Sequence, residues 1–235
     1  MAKLTKKQAA EAIEALEKAY PEAGCALDYG TPFQLLVSVV LSAQTTDVSV
    51  NKATPALFAK APDAFAMAQL PEEVISGFIH VIGMYRTKAK NVKKLSQVLV
   101  EKYNGEVPGD YDKLVELPGV GRKTANVVLA EAFGQQRIAV DTHVFRLANR
   151  IGFTAEKDVL KTEEGLMRAI PEEKWTHMHH ALIWHGRRVC SARKPACEGC
   201  CLEGICRKNG LEEPSEKSSA ARPKGRGKAS VKEAR

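Results

Sequence analysis

Apolar positions recur along most of the chain with the period of a helix, and no segment keeps the strict alternation of a half-buried strand. Near the N-terminus, Ala9, Ile13, Leu16 and Tyr20 fall on one stripe, which predicts an amphipathic helix docking on a core. "FQLLVSVVLSAQ" (33–44) is apolar on every side; its length and lack of alternation predict a buried helix rather than a strand. Thr45, Thr46 and Asp47 offer caps for a next helix that includes Val50 and Ala53. Further helices are predicted at 71–79, 87–103, 110–116, 122–133, 142–150, 156–168 and 173–186, with Gly, Pro and Asn between them, as in "NGEVPGD" (104–110). The chain reads as all-α. Two octamers, "IGMYRTKA" (82–89) and "PGVGRKTA" (118–125), align without a gap and predict helix–turn–helix elements whose turns expose backbone N–H groups. The second has Gly121 and Lys123 where the first has Tyr85 and Thr87, so chemistry is expected in the second.

Composition changes the picture modestly. With 235 residues, 44% of them apolar, the chain can build one large core or two modest ones. The net charge of +7 favours a polyanionic partner. Residues 212–235 hold seven basic and four acidic side chains among Ser, Gly and Pro, and predict a disordered basic tail with non-specific attraction to nucleic acid. Charges interrupt the N-terminus where a secretory signal would need an apolar run, and no stretch is long enough to span a membrane. The expectation is a soluble protein of a reducing cytoplasm.

That compartment bears on the cysteines. Five of the six lie in "CSARKPACEGCCLEGIC", and Cys190, Cys197, Cys200 and Cys206 give the spacing C-x6-C-x2-C-x5-C, with Cys201 left over. Disulfides explain this poorly without export, whereas four thiolates suit a metal. The spacing matches neither a zinc ribbon nor a ferredoxin run, so composition leaves zinc and iron–sulfur open. In "ELPGVGRKTANVV" (116–128), Gly119 and Gly121 carry no side chain to block an approach, and the helix start behind them suits a DNA phosphate. The plain alternative is a Gly-rich connection between packed helices. The Lys123 amine is a nucleophile only when uncharged, a state that the helix start, neighbouring Arg122 and partial burial would favour.

"ELPGVGRKTANVVL", then "IAVDTHVFRLANR" (138–150) and the cysteine run, with "LLVSVVLSAQTTDVSVNKATPALF" (35–58) and "IGMYRTKAKNV" (82–92), closely resemble the bacterial endonuclease III family of helix-hairpin-helix DNA glycosylases. The likeness spans residues 5 to 208. It implies a six-helix domain at 26–134 containing the hairpin, and a second domain of residues 135–211 packed with an N-terminal helix within 1–25. DNA would lie in the cleft between the two. It further implies one structural [4Fe-4S] cluster on Cys190, Cys197, Cys200 and Cys206, and a monomer that removes oxidised pyrimidines from double-stranded DNA and cuts at abasic sites. Lys123 matches the family's catalytic lysine and Asp141 its aspartate, although an N-cap ahead of "THVFRLANR" would account for Asp141 alone.

Gln44 and Met84 match positions that fill the gap left by an extruded base; methionine there departs from the leucine expected. Gly119, Gly121 and Arg122 would grip phosphate, as would Arg193 and Lys194 on the cluster loop, with Arg187 and Arg188 upstream. Cys201 is left as a buried bystander or an oxidation liability, Cys25 as a core residue, and His177, His179 and His180 as packing or surface. The adenine-removing branch needs a carboxylate where this chain has Ser38 and Val39. A pyrimidine-dimer or mismatched-thymine glycosylase on the same scaffold is the nearer alternative, and a non-catalytic iron–sulfur DNA-binding protein the remoter one. The resemblance places the protein in the cytoplasm, on the nucleoid.

Overall fold

The computed structural model describes residues 1–211, and every element among them is helical. In order these are α1 (Lys6–Ala19), α2 (Pro32–Leu41), α3 (Asp47–Lys60), α4 (Ala64–Gln69), α5 (Glu72–Phe78) and α6 (Tyr85–Tyr103). Then come α7 (Tyr111–Val115), α8 (Arg122–Phe133), α9 (Thr142–Ile151), α10 (Val159–Ala169) and α11 (Trp175–Arg188), the last preceded by a 3-10 turn at Glu172–Lys174. The tail expected at 212–235 lies outside the described residues.

Short polar side chains set most of the helix starts. Thr5 and Gln8 form a reciprocal capping box on α1, while Thr31, Thr46, Asp63, Asp110, Asp141 and Asp158 each accept a hydrogen bond from a first-turn N–H. Two exceptions matter for function: α6 and α8 begin at Met84 and Gly121 with no side-chain cap. The sequence pattern missed α4 because "AFAMAQ" is too short to display a period, although Asp63 caps it. The two similar octamers both enter a helix through a turn, but the turns differ. The left-handed residue is Met84 in the first and Gly119 in the second, one place apart in the alignment.

Apolar side chains gather into two cores. The first is built on α2–α8, with Leu35, Leu36, Leu41, Leu57, Met67, Leu95, Leu99 and Leu129 all without exposure. The second joins α1 to α9, α10 and α11 through Ala12, Leu16, Leu147, Leu166, Met178 and Leu182. α2 is buried on all sides from Leu35 to Leu41, while the longer helices bury only a stripe, so most of their stability comes from this packing.

Polar side chains cross between the cores. On α8, Arg122 donates from Nε to Glu163 Oε2 at 2.9 Å and from Nη2 to Oε1 at 2.7 Å, reaching into α10. Asn126 adds a bond to the same carboxylate at 3.3 Å. His180 on α11 meets Glu131 on α8 at 2.7 Å, and Arg187 on α11 meets Asp47 on α3 at 2.8 Å.

The Glu163 side chain is only 6% exposed, so removing its partner strands a buried charge. Arg122→Ala is expected to lower unfolding free energy by about 2 kcal/mol, reduced from the fully buried case because the arginine is partly solvated. Adding Glu163→Gln should recover part of that loss in a denaturant-based double-mutant cycle. Simple additivity would show that the pair contributes nothing.

Candidate active site and metal centre

The turn between α7 and α8 runs through Gly119 at φ +82°, where a Cβ would meet the Asn91 side chain at 3.1 Å. Glycine is required there by both conformation and space. Gly121 differs from the expectation. Its φ is −102°, which any residue adopts, and nothing stands within 4 Å of the place a Cβ would take. Packing therefore gives no reason for glycine at 121. It keeps open the space before an uncapped helix start whose N–H groups point outward.

Lys123, on the first turn of α8, is exposed. This corrects the expectation of partial burial: the side chain leaves the helix end into an open cleft. Arg122 is also spent elsewhere, because Glu163 fills its fork and Tyr111 accepts from Nη1 at 3.3 Å. Of the three features expected around Lys123, the free protein keeps its place at a helix start.

Asp141 faces Lys123 across the seam between the cores. One carboxylate oxygen accepts the Val144 N–H at 2.8 Å, so Asp141 is the N-cap of α9. The same residue lines, with Lys123, a cleft of about 550 Å³ that also includes Gln44, Phe145 and Arg187. A narrower recess of about 60 Å³ joins Lys123 and Asp141 to Cys25, His179, His180 and Trp184. Two of the "HMHH" histidines thus line the site, a place their sequence gave no signal for. His179 is fully buried, and burial first, then His180 and Lys123, hold it well below the usual histidine range. Its Nδ1 has no hydrogen-bond partner among the described residues.

Gln44 is exposed at φ +52° and Met84 is 53% exposed at φ +56°. Left-handed backbone disfavours residues with a Cβ, by about 1–2 kcal/mol. Gln44 lies at the cleft; Met84, on the neighbouring turn, is not among the residues that line it.

Cys190, Cys197, Cys200 and Cys206 line one largely apolar cavity with Ile151, Val189 and Leu202, whereas Cys201 is exposed and outside it. That rules out a buried bystander at 201. The Sγ atoms of Cys190, Cys200 and Cys206 each accept an N–H at 3.4 Å, from Arg150 Nη1, Leu202 N and Lys208 N. Burial raises the Cys206 thiol, so a thiolate there calls for a cationic partner.

Donor atoms of His185, Cys200 and Cys201 come within 4.8 Å of one another. That trio offers three ligands and omits three of the cysteines facing the cavity. Four cysteines around a dry cavity suit a cluster, which spaces its sulfurs more widely than one ion does. His185 is better placed as a support. Tyr20 Oη lies 2.9 Å from its Nδ1, and its Nε2 lies 3.6 Å from Cys200 Sγ. Burial pulls this imidazole down to about 4 and pushes the Tyr20 phenol up to about 12.

Arg150 and Arg146 carry no signal in the sequence for the place they take beside the cysteines. Buried Arg150 donates to the carbonyls of Ser191 at 2.7 Å and Ala192 at 3.0 Å, and Arg146 to those of Gly186 at 3.1 Å and Cys190 at 3.0 Å. Both hold the loop on which Arg193 and Lys194 stand exposed.

Residues 37–172 match the family model of the HhH-GPD superfamily base excision DNA repair proteins. The endonuclease III of Synechocystis sp. is 50% identical over 202 residues, covering 86% of this chain and 92% of its own. A solved endonuclease III trapped as a covalent intermediate with DNA superposes with a TM-score of 0.84 at 48% identity, covering 87% of this chain and 97% of that one. A thermostable thymine-DNA glycosylase shares the fold alone, with a TM-score of 0.78 at 24% identity over 86% of this chain and 96% of its own.

Gly119→Ala is expected to cost about 1–2 kcal/mol of stability, from the left-handed backbone and the Asn91 contact together. Gly121→Ala should cost clearly less. Thermal unfolding of the two variants side by side checks the contrast.

Proposed function

Since the chain belongs to the endonuclease III family within the HhH-GPD superfamily of base excision DNA repair proteins, we propose that it excises oxidised pyrimidines from duplex DNA with Lys123 as nucleophile. It is a DNA glycosylase that also has AP lyase activity. The observation that carries the residue assignment is the cleft between the cores, into which one core presents Lys123 and the other Asp141.

The lesion first leaves the stack, since its glycosidic bond is out of reach inside the duplex. Gln44 and Met84 enter the gap, Gln44 pairing with the orphaned base and Met84 wedging the stack. Asp141 takes a proton from the Lys123 ammonium through the oxygen not committed to Val144. DNA over the cleft supplies the desolvation that the free protein lacks. The amine's lone pair then bonds to C1′ as the base leaves with the glycosidic electrons. Opening of the sugar gives a Schiff base, which acidifies the C2′ proton. Its removal expels the 3′ phosphate by β-elimination, and hydrolysis frees Lys123.

Phosphates would meet the bare start of α8 at Gly119 and Gly121, and the exposed Arg193 and Lys194. Arg122 would join them only at the expense of its pair with Glu163. Cys190, Cys197, Cys200 and Cys206 would hold one [4Fe-4S] cluster, which when bound supplies structure by pinning the loop that carries those two cations. The protein would act as a monomer in the cytoplasm, on nucleoid DNA. Among the described residues no helix is long and apolar enough to cross a membrane. The thymine-glycosylase alternative is disfavoured by the lower identity of that relative, 24% against 48%.

Borohydride added during reaction with thymine-glycol duplex should trap a covalent protein–DNA adduct, and Lys123→Gln should abolish it. An adduct of undiminished yield from the variant would place the nucleophile elsewhere. Separately, anaerobically purified protein is expected to be yellow-brown, with about four irons and four sulfides per chain; colourless, zinc-loaded protein would refute the cofactor assignment.

A further inference from the structure

Lys88 sits on the first turn of α6 and is 4% exposed, although its type is among those least often buried. Its ammonium donates to the carbonyl of Leu41 at 2.9 Å and to the Thr45 hydroxyl at 2.8 Å. Those partners lie on either side of Gln44: Leu41 ends α2, and Thr45 closes the turn through its N–H to Ser42 O at 3.0 Å. Lys88 stands on the helical turn that Met84 opens, its N–H making the first backbone bond of α6 to Met84 O at 3.0 Å, so the side chain joins that turn to the Gln44 turn. The Lys88 side chain therefore ties the Gln44 turn to the helix start that Met84 caps, and both turns carry an exposed residue with left-handed backbone.

Two of the four non-glycine residues with positive φ among the described residues are Gln44 and Met84. A third, Asn104, ends α6 in the ordinary left-handed manner of a C-cap. Gln44 and Met84 cap no helix end in that way, so something else must hold their turns. Burial lowers the pKa of Lys88, and no carboxylate pairs with it among the described residues. Its charge rests instead on the unpaired carbonyl end of α2, where the helix dipole is negative. Filling the space would need no charge, since methionine has nearly the same reach. The ammonium is there to tie.

We propose that Lys88 is a positioning residue that holds the Gln44 and Met84 turns in one register, so that both side chains enter the duplex together. The proposal rests on the reading that these two side chains fill the gap left by the lesion. Without the tie the Gln44 turn would relax from its left-handed geometry and lose its register with the start of α6 in the free protein. The two insertions would then become separate events, each with its own ordering entropy. The effect falls on extrusion, which the turns perform, rather than on Lys123 chemistry.

The test measures single-turnover excision from thymine-glycol duplex, with 2-aminopurine beside the lesion to report unstacking and anisotropy to report affinity. Lys88→Met is expected to slow excision about 10-fold and to reduce the unstacking signal, while Kd changes less than about 2-fold. In a Gln44→Ala/Met84→Ala background the same substitution should add nothing, a non-additivity that a merely stabilising lysine would not produce. Equal slowing in both backgrounds, or unchanged unstacking in the single variant, overturns the proposal. Should Lys88→Met fail to fold, Thr45→Val removes one tie and leaves the Leu41 bond; it is expected to show the same pattern at about 3-fold, and excision and unstacking like wild type would overturn the proposal. If the Gln44→Ala/Met84→Ala protein itself unstacks and excises like wild type, the insertion reading fails first, and the proposal with it.

Discussion

The fork between Arg122 and Glu163 is the bidentate member of the side-chain contacts that join the two cores beside the cleft, with His180–Glu131 and Arg187–Asp47. Arg122 is the residue before Lys123, so anchoring its side chain in α10 also sets the direction in which α8 presents the amine. The carboxylate end is almost wholly buried and further held by Asn126, one helical turn along α8. Such a pair is a poor source of net stability but a good source of geometry, since a bidentate guanidinium–carboxylate contact tolerates little rotation. The opposing wall is held as well, because Asp141 caps α9 through the Val144 N–H, a bond whose loss costs about 1 kcal/mol. Lys123 and Asp141 each start from a fixed helix end, and the exposed lysine side chain is left free to move in the cleft.

Helix content was readable because burial here follows helical period. All four residues of the first stripe, Ala9, Ile13, Leu16 and Tyr20, are buried. The apolar run after Thr31 forms α2, which ends at Leu41 rather than at Gln44. The overshoot is informative, since Ser42–Thr46 are shaped by a lysine more than forty residues away, and no local pattern records such a bond. Asp141 could be read as a cap from "VDTH" alone, but its place beside Lys123 depends on the seam between cores.

Charged residues were the hardest to place from sequence. By sequence Arg122 suits a phosphate, yet Glu163 engages it; Arg146 and Arg150 stand in no motif of their own, yet hold the cysteine loop. An arginine carries five donors on a long stem, so its function depends on which carbonyls the fold brings within reach. His179 and His180 illustrate the converse. Their burial is ordinary for α11, yet the recess they line is the one beneath the amine.

The second core draws α1 from the beginning of the chain and the cysteine loop from beyond residue 190, and Ala2 and Asn209 are stitched together by reciprocal hydrogen bonds. A ribosome delivers α1 long before its mates, while the whole of the first core emerges in between. The lobe formed by α2–α8 can therefore condense during synthesis, whereas α1 must wait with its apolar stripe uncovered. The lobe that carries the cysteine loop closes last, after both halves of its wall have been made.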